Sequence, residues 1–253
     1  DPDIYDHTNR HCEVLVIGSG PAGLMSALVA AGSGVRVILC DEQPTFGGSM
    51  LDSGETIDGM AASEWARDAV ERLAAMDNVT LLPRTTANGY FDHNFVTLHE
   101  RCTEHLGDTA PRVDGRRQPR SRLHRVRARH VVLASGAHER PLVYAGNDVP
   151  GNLVAGALST YIRRYAVRPG QRLVLSTTND HAYRAALDWQ DAGGEVVAIA
   201  DARANPDGEL VERAQAAGIR IVTGSAVIEA TADRKGHRVS GARIGAIDIE
   251  GFR

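Results

Sequence analysis

Gly18, Gly20 and Gly23, entered from the apolar run 14–17, leave few folds open to this chain. That spacing describes a strand, a tight turn and a helix. Gly18 permits the turn, Gly20 lets backbone approach a bound pyrophosphate, and Gly23 lets the helix close on the strand. Pro21 falls in the first helical turn, where its missing N–H costs nothing. The next strand, 35–40, ends at Asp41, roughly 20 residues beyond the turn, where a carboxylate can accept from a ribose 2′-OH. A 2′-phosphate would set two anions together in a poorly solvated cleft, so NAD or FAD fits better than NADP. A lone glycine triplet is a weak signal. Strand, glycines, helix, strand and acid in register predict dinucleotide binding.

Length and composition narrow the class. The 253 residues suffice for one large α/β domain or two smaller ones. A hydrophobic share of 43% and a charged share of 24% are those of a globular protein, and a net charge of −4 offers no global attraction to nucleic acid or membrane. No apolar run has the length to span a bilayer, and the start of the chain lacks the basic and apolar regions of a signal peptide. A cytoplasmic setting is expected. Because the first residue is Asp1 and not Met, the chain is expected to begin partway through a longer protein. Cys12, Cys40 and Cys102 form no CxxC, which removes the dithiol chemistry of thioredoxin-reductase-like enzymes from this stretch.

The first βαβ unit is read over 13–41, and the loop 43–49 offers a second glycine pair, Gly47 and Gly48. Trp65, Ala69, Leu73 and Met76 recur at helical spacing over 62–76 and form a core stripe. Val79–Leu82 reads as a third parallel strand. Thr85–Phe91 and 95–99 read as an antiparallel meander crossing one face of the sheet. Residues 112–122 read as an exposed loop, 123–129 as an alternating edge strand, and 131–136 as a buried strand. These segments define a first domain over 1–140. A second, 141–253, repeats the logic: strands at 172–176, 195–200 and 219–223, helices at 154–166, 180–192 and 208–217, then antiparallel strands at 227–231 and 238–244. The fold class expected is thus α/β, with tandem Rossmann-like dinucleotide-binding domains, and the chain is expected to be truncated at its C-terminus.

Laying the three glycines onto the second unit lands on Ser176, Thr178 and His181. All three glycines are missing, and Asp180 at the helix start repels phosphate. This half is read as a scaffold without a nicotinamide site; the alternative is a shifted turn that still binds.

The strings HCEVLVIG at 11–18, ILCDEQ at 38–43, FGG at 46–48, ASGAHERP at 134–141, NDVPG at 147–151 and NDHAYR at 179–184 resemble the α subunit of heterotetrameric sarcosine oxidase. Opine-dehydrogenase and hydrogen-cyanide-synthase subunits share parts of the pattern. The resemblance implies a cytoplasmic complex with β, γ and δ subunits that demethylates sarcosine to glycine, passing the one-carbon unit to tetrahydrofolate and electrons to O2. It implies NAD in this chain's first site, FAD and FMN elsewhere in the complex, and no catalytic residue here. Carried onto this sequence, NAD contacts fall on Gly18, Gly20, Ala22 and Gly23 for the pyrophosphate, and on Asp41 and Glu42 for the ribose. Gly48 and Ser49 follow in the second loop, with Ala87 beside adenine and Gly136 at the end of a strand. The family's subunit is several times longer than this chain.

Other readings carry less. The arginines of 112–129 lack interleaved aromatic residues for base stacking, which disfavours nucleic acid. His99, Cys102 and His105 supply only three convergent metal ligands, so no metal is expected. His138 and Glu139 read as a hydrogen-bonded turn. An FAD-dependent pyridine-nucleotide reductase or amino-acid/opine dehydrogenase subunit remains the alternative function; the reductase needs a working nicotinamide site in the second domain.

Overall fold

Two faces of one sheet account for the first unit. The computed structural model describes residues 3–110, 112–113 and 116–247, and divides into Asp1–Ala137 and His138–Arg253. The first unit contains β1 (Tyr5–Ile17), α1 (Pro21–Gly32), β2 (Val37–Cys40), α2 (Ala62–Ala74), β3 (Val79–Leu82), β4 (Thr85–Phe91), β5 (Phe95–Arg101) and β6 (Ser121–Leu133). They form a six-stranded sheet in the order β3-β2-β1-β6-β5-β4. The first four strands run parallel; β5 and β4 are antiparallel additions.

Side-chain alternation assigns the two faces. Val16, Val37 and Leu39 meet Leu24, Ala27 and Ala31 of α1 and Ala66, Ala69 and Leu73 of α2. Leu15, Ile38 and Cys40 point the other way, into a core shared with Val96, Leu98 and Val126. Strands covered on both faces need continuous apolar runs, which 14–17 and 37–40 supply. Small residues on α1 let it lie close to the sheet, and each fully buried leucine contributes about 1.5–3 kcal/mol of transfer free energy. The meander therefore packs across one face, as its sequence predicts, while remaining hydrogen-bonded into the same sheet.

Two sequence expectations change. The segments 123–129 and 131–136 are one strand, β6, and its first half is no edge: it lies between β1 and β5. The reason is the length of β1, which starts at Tyr5 and pairs with β6 from Tyr5↔Ser121 to Ile17↔Leu133. Within the expected loop 112–122, the described residues include a two-stranded ribbon, Arg112–Val113 with Arg116–Arg117.

The second unit contains α3 (Ala155–Arg163), β7 (Arg172–Thr177), α4 (His181–Asp191), β8 (Glu195–Asp201), α5 (Glu209–Ala216), β9 (Ile221–Thr223), β10 (Ser225–Ala232) and β11 (Val239–Ala246). Strands β7-β8-β9 form a parallel sheet, and β10 and β11 an antiparallel pair. Leu175 and Ile199 from the sheet share a core with Leu158 of α3, Tyr183, Ala186 and Trp189 of α4, and Val211 and Ala214 of α5. Among the described residues, no helix is long and apolar enough to cross a membrane.

Candidate dinucleotide site

The turn between β1 and α1 is tight because two of its glycines face backbone. Gly18 has φ +99°, and a Cβ there would collide with the Ala134 carbonyl; a Cβ on Gly23 would collide with the Gly18 carbonyl oxygen. Gly20 differs: nothing lies within 4 Å of the point its Cβ would occupy. That open position precedes Pro21 at the N-terminus of α1, where unpaired amides and the helix dipole favour an anion. Ala22 stands in the same first turn, and α1 carries no acidic side chain there.

A second loop is fitted against the first. The Gly47 amide donates to the Ser19 carbonyl oxygen at 3.1 Å and to Ser19 Oγ at 3.2 Å. A Cβ on Gly48 would sit 2.8 Å from Gly20 Cα, so Gly48 lies directly against Gly20, and Ser49 follows it, exposed. Asp41 closes the arrangement. Its Oδ2 accepts from the Ser19 amide at 2.7 Å and from Ser19 Oγ at 2.6 Å, while Oδ1 accepts from the Gln43 amide at 2.8 Å. A carboxylate offers about four acceptor sites, so roughly one remains on Oδ1 for a ribose hydroxyl. Asp41 thus tethers the glycine turn, a task its sequence position does not announce. Ser19, between the first two glycines, is the residue sequence reasoning missed; a hydroxyl placed between a glycine turn and a strand-end acid was the available signal.

The remaining candidates lie around this core. Glu42 is exposed, and its carbonyl accepts from Arg101 Nη2 at 2.6 Å. Ala87 is half-buried on β4, two residues past Thr85, whose amide donates to the Asp41 carbonyl at 2.7 Å. Gly136 (φ +69°) follows Ala134, the residue against Gly18. Glu139 accepts from the Gly156 amide at 2.5 Å and so binds the first turn of α3. Among the described residues, no three His, Cys, Asp or Glu side chains are grouped to hold a metal. Burial pushes the Cys12 thiol up to about 11 and the Cys40 thiol up to about 12.

The corresponding turn of the second unit is built differently, and in a register two residues from the one the sequence suggests. Three residues separate β1 from α1, and three separate β7 from α4. Matching those ends sets Thr178, Asp180 and Tyr183, and not Ser176, Thr178 and His181, at the glycine positions. Asp201 stands opposite Thr177 as Cys40 stands opposite Ile17, one residue before the Asp41 position, and like Asp41 it accepts from the amide two residues on. The strand runs one residue further than its apolar run, and the turn then closes on polar side chains. The Asn179 amide donates to Thr177 Oγ1 at 3.1 Å, and the His181 amide donates to Asn179 Oδ1 at 3.0 Å. Tyr183, fully buried, donates to Asp201 Oδ2 at 2.7 Å. Arg203 reaches Asp201 Oδ2 at 2.7 Å and, through Nη1, Asp180 Oδ1 at 2.7 Å. Side chains occupy the places where the first turn keeps bare backbone.

This cluster carries a pH signature. Burial raises the Asp201 carboxyl, but hydrogen bonds from Arg203 and Tyr183 outweigh it and hold the group below its usual value. A carboxyl depressed by folding stabilises the fold above its unfolded pKa of about 3.9, and that contribution disappears as pH falls through the folded value. Asp201→Asn should cost about 3 kcal/mol at pH 7, since Arg203 loses a buried partner. The difference from the parent protein should shrink below about pH 4. Urea midpoints measured across pH test this; a pH-independent difference would contradict it.

Sarcosine oxidase subunit alpha of Corynebacterium sp. (strain P-1) is 45% identical over 237 residues, 93% of this chain and 24% of that protein. The subunit of the same name from Rhizobium meliloti (strain 1021) is 47% identical over 80% of this chain and 20% of its own length. The chain therefore spans between a fifth and a quarter of these relatives. A solved thioredoxin reductase from Lactococcus lactis aligns with a TM-score of 0.66 at 18% identity, covering 94% of this chain and 72% of that one, which establishes a shared fold. The family model for pyridine nucleotide-disulphide oxidoreductases matches residues 12–249, and the chain belongs to that family.

Proposed function

We propose that this chain is the NAD-binding portion of the α subunit of a heterotetrameric sarcosine oxidase. One observation carries the reading: the first turn leaves Gly20 open above a helix N-terminus, whereas the second turn is filled by Asp180, Tyr183 and Arg203. A single adenine dinucleotide fits such a pair. The amides near Gly20, Ala22 and Gly23 would hold the pyrophosphate, with Gly48 and Ser49 alongside. Asp41 and Glu42 would receive the ribose, and backbone near Ala87 and Gly136 would border the rest.

In this reading the parent complex is cytoplasmic and contains β, γ and δ subunits, with FAD and FMN carrying the redox steps. It demethylates sarcosine to glycine, delivers the one-carbon unit to tetrahydrofolate and reduces O2 to H2O2. The chain described here supplies a bound dinucleotide and no catalytic side chain. The relatives' names support the oxidase assignment. The competing reading, an FAD-dependent reductase, draws on the shared thioredoxin-reductase fold. It requires nicotinamide entry at the second turn, which the side chains there oppose.

Heating the purified protein and recording the absorption of what it releases separates the two. A colourless nicotinamide spectrum is expected; yellow FAD bound to this chain would overturn the proposal. Asp41→Ala should weaken NAD binding by about 1.5–3 kcal/mol, through loss of a charge-assisted contact and of the tether on Ser19. An unchanged calorimetric titration would show Asp41 to be misassigned.

A further inference from the structure

We infer that the outer face of β1, β6 and β5 docks an acidic surface of a partner subunit. Alternation along β6 buries His124, Val126 and Ala128 and exposes Arg125, Arg127 and Arg129. Register extends this row sideways: Arg125 lies between Asn9 and Thr97, and Arg127 between His11 and Phe95. The Arg127 guanidinium stands 4.9 Å over the Phe95 ring, and Phe91, more than half exposed, packs on Phe95 at 5.8 Å.

The two faces of this sheet treat charge differently. On the opposite face, Arg10 donates to His124 at 2.9 Å, His124 meets Glu100 at 2.8 Å, and Arg122 pairs with Glu100 at 3.3 Å and Asp6 at 3.0 Å. Those charges are matched. On the outer face, Arg125, Arg127 and Arg129 have no ion-pair partner among the described residues, and the neighbouring acid Glu13 is held by Arg36 at 2.7 Å. Three like charges about 7 Å apart along one strand repel each other. An acidic partner surface removes that repulsion and covers an Arg–aromatic patch of the kind enriched at interfaces. The row is local, since the chain as a whole carries −4.

The partner is taken to be a protein because the relatives are named as subunits of an oxidase. This rests on the chain being part of a multi-subunit enzyme, which native mass spectrometry of the parent enzyme reports independently of the variants. A nucleic acid is the competing polyanion.

The test uses the full-length chain purified in its native complex, with Arg125→Glu and Arg127→Glu combined. Native mass spectrometry over a salt series should show one partner subunit binding at least tenfold more weakly in the variant. The parent complex should lose that same subunit as salt rises, and bound NAD should stay unchanged. Arg125→Gln with Arg127→Gln should give a smaller loss, and it serves if the double Glu variant fails to fold. A complete subunit complement in the variants at every salt concentration would overturn the inference. So would an intact complex whose affinity for a single-stranded oligonucleotide is lost in the variant.

Discussion

Gly20→Val should abolish dinucleotide binding and leave the first unit folded. A valine side chain at this position meets no protein atom near its Cβ, so the fold has room for it. The space it fills is where the pyrophosphate is proposed to approach the amides of α1. Losing two charge-assisted hydrogen bonds removes about 3–6 kcal/mol, a factor on the order of 10²–10⁴ in Kd. Calorimetric titration gives the affinity and circular dichroism reports the fold. Unaltered affinity would place the ligand elsewhere.

Gly23→Ala, three residues on, should do the opposite. Its methyl group would collide with the Gly18 carbonyl, and Gly18 is already held between β2 and β6: its amide donates to the Cys40 carbonyl at 2.9 Å, and the Ala134 amide donates to Ile17 at 2.8 Å. Neither neighbour is a flexible side chain that can swing away. Relief demands moving α1 off the sheet, at a cost of about 3 kcal/mol or more. For a unit of this size the loss corresponds to a fall in Tm on the order of 10 °C. Thermal denaturation of the parent protein and the variant measures it, and an unchanged Tm would mean that helix and strand are less closely packed than described. One methyl group thus separates a stability effect at Gly23 from a binding effect at Gly20.

What the sequence made legible follows from how local each determinant is. The glycine turn, the apolar runs of β1 and β2 and the helical stripe Trp65, Ala69, Leu73 are read from neighbours a few residues apart, and the structure places them as read. The continuous β6 was not legible, because its arginine-rich half is ordered by β1 and β5, more than a hundred and some twenty residues away respectively. The register of the second turn was missed for a related reason. Once the glycines are gone, only the buried Tyr183–Asp201–Arg203 cluster marks the equivalent positions, and its partners meet only in three dimensions. Asp41 was found, but its grip on Ser19 was not, since a strand-end acid looks the same in sequence whether it holds a ribose or a turn.

Hydrogen exchange with and without NAD tests the central contrast between the two turns most directly. Residues 18–24 and 47–49 should gain protection when the dinucleotide is added, while 176–183 should exchange at the same rate in both conditions. Protection that appears around Thr178 and Asp180 and leaves Gly20 unaffected would contradict the account.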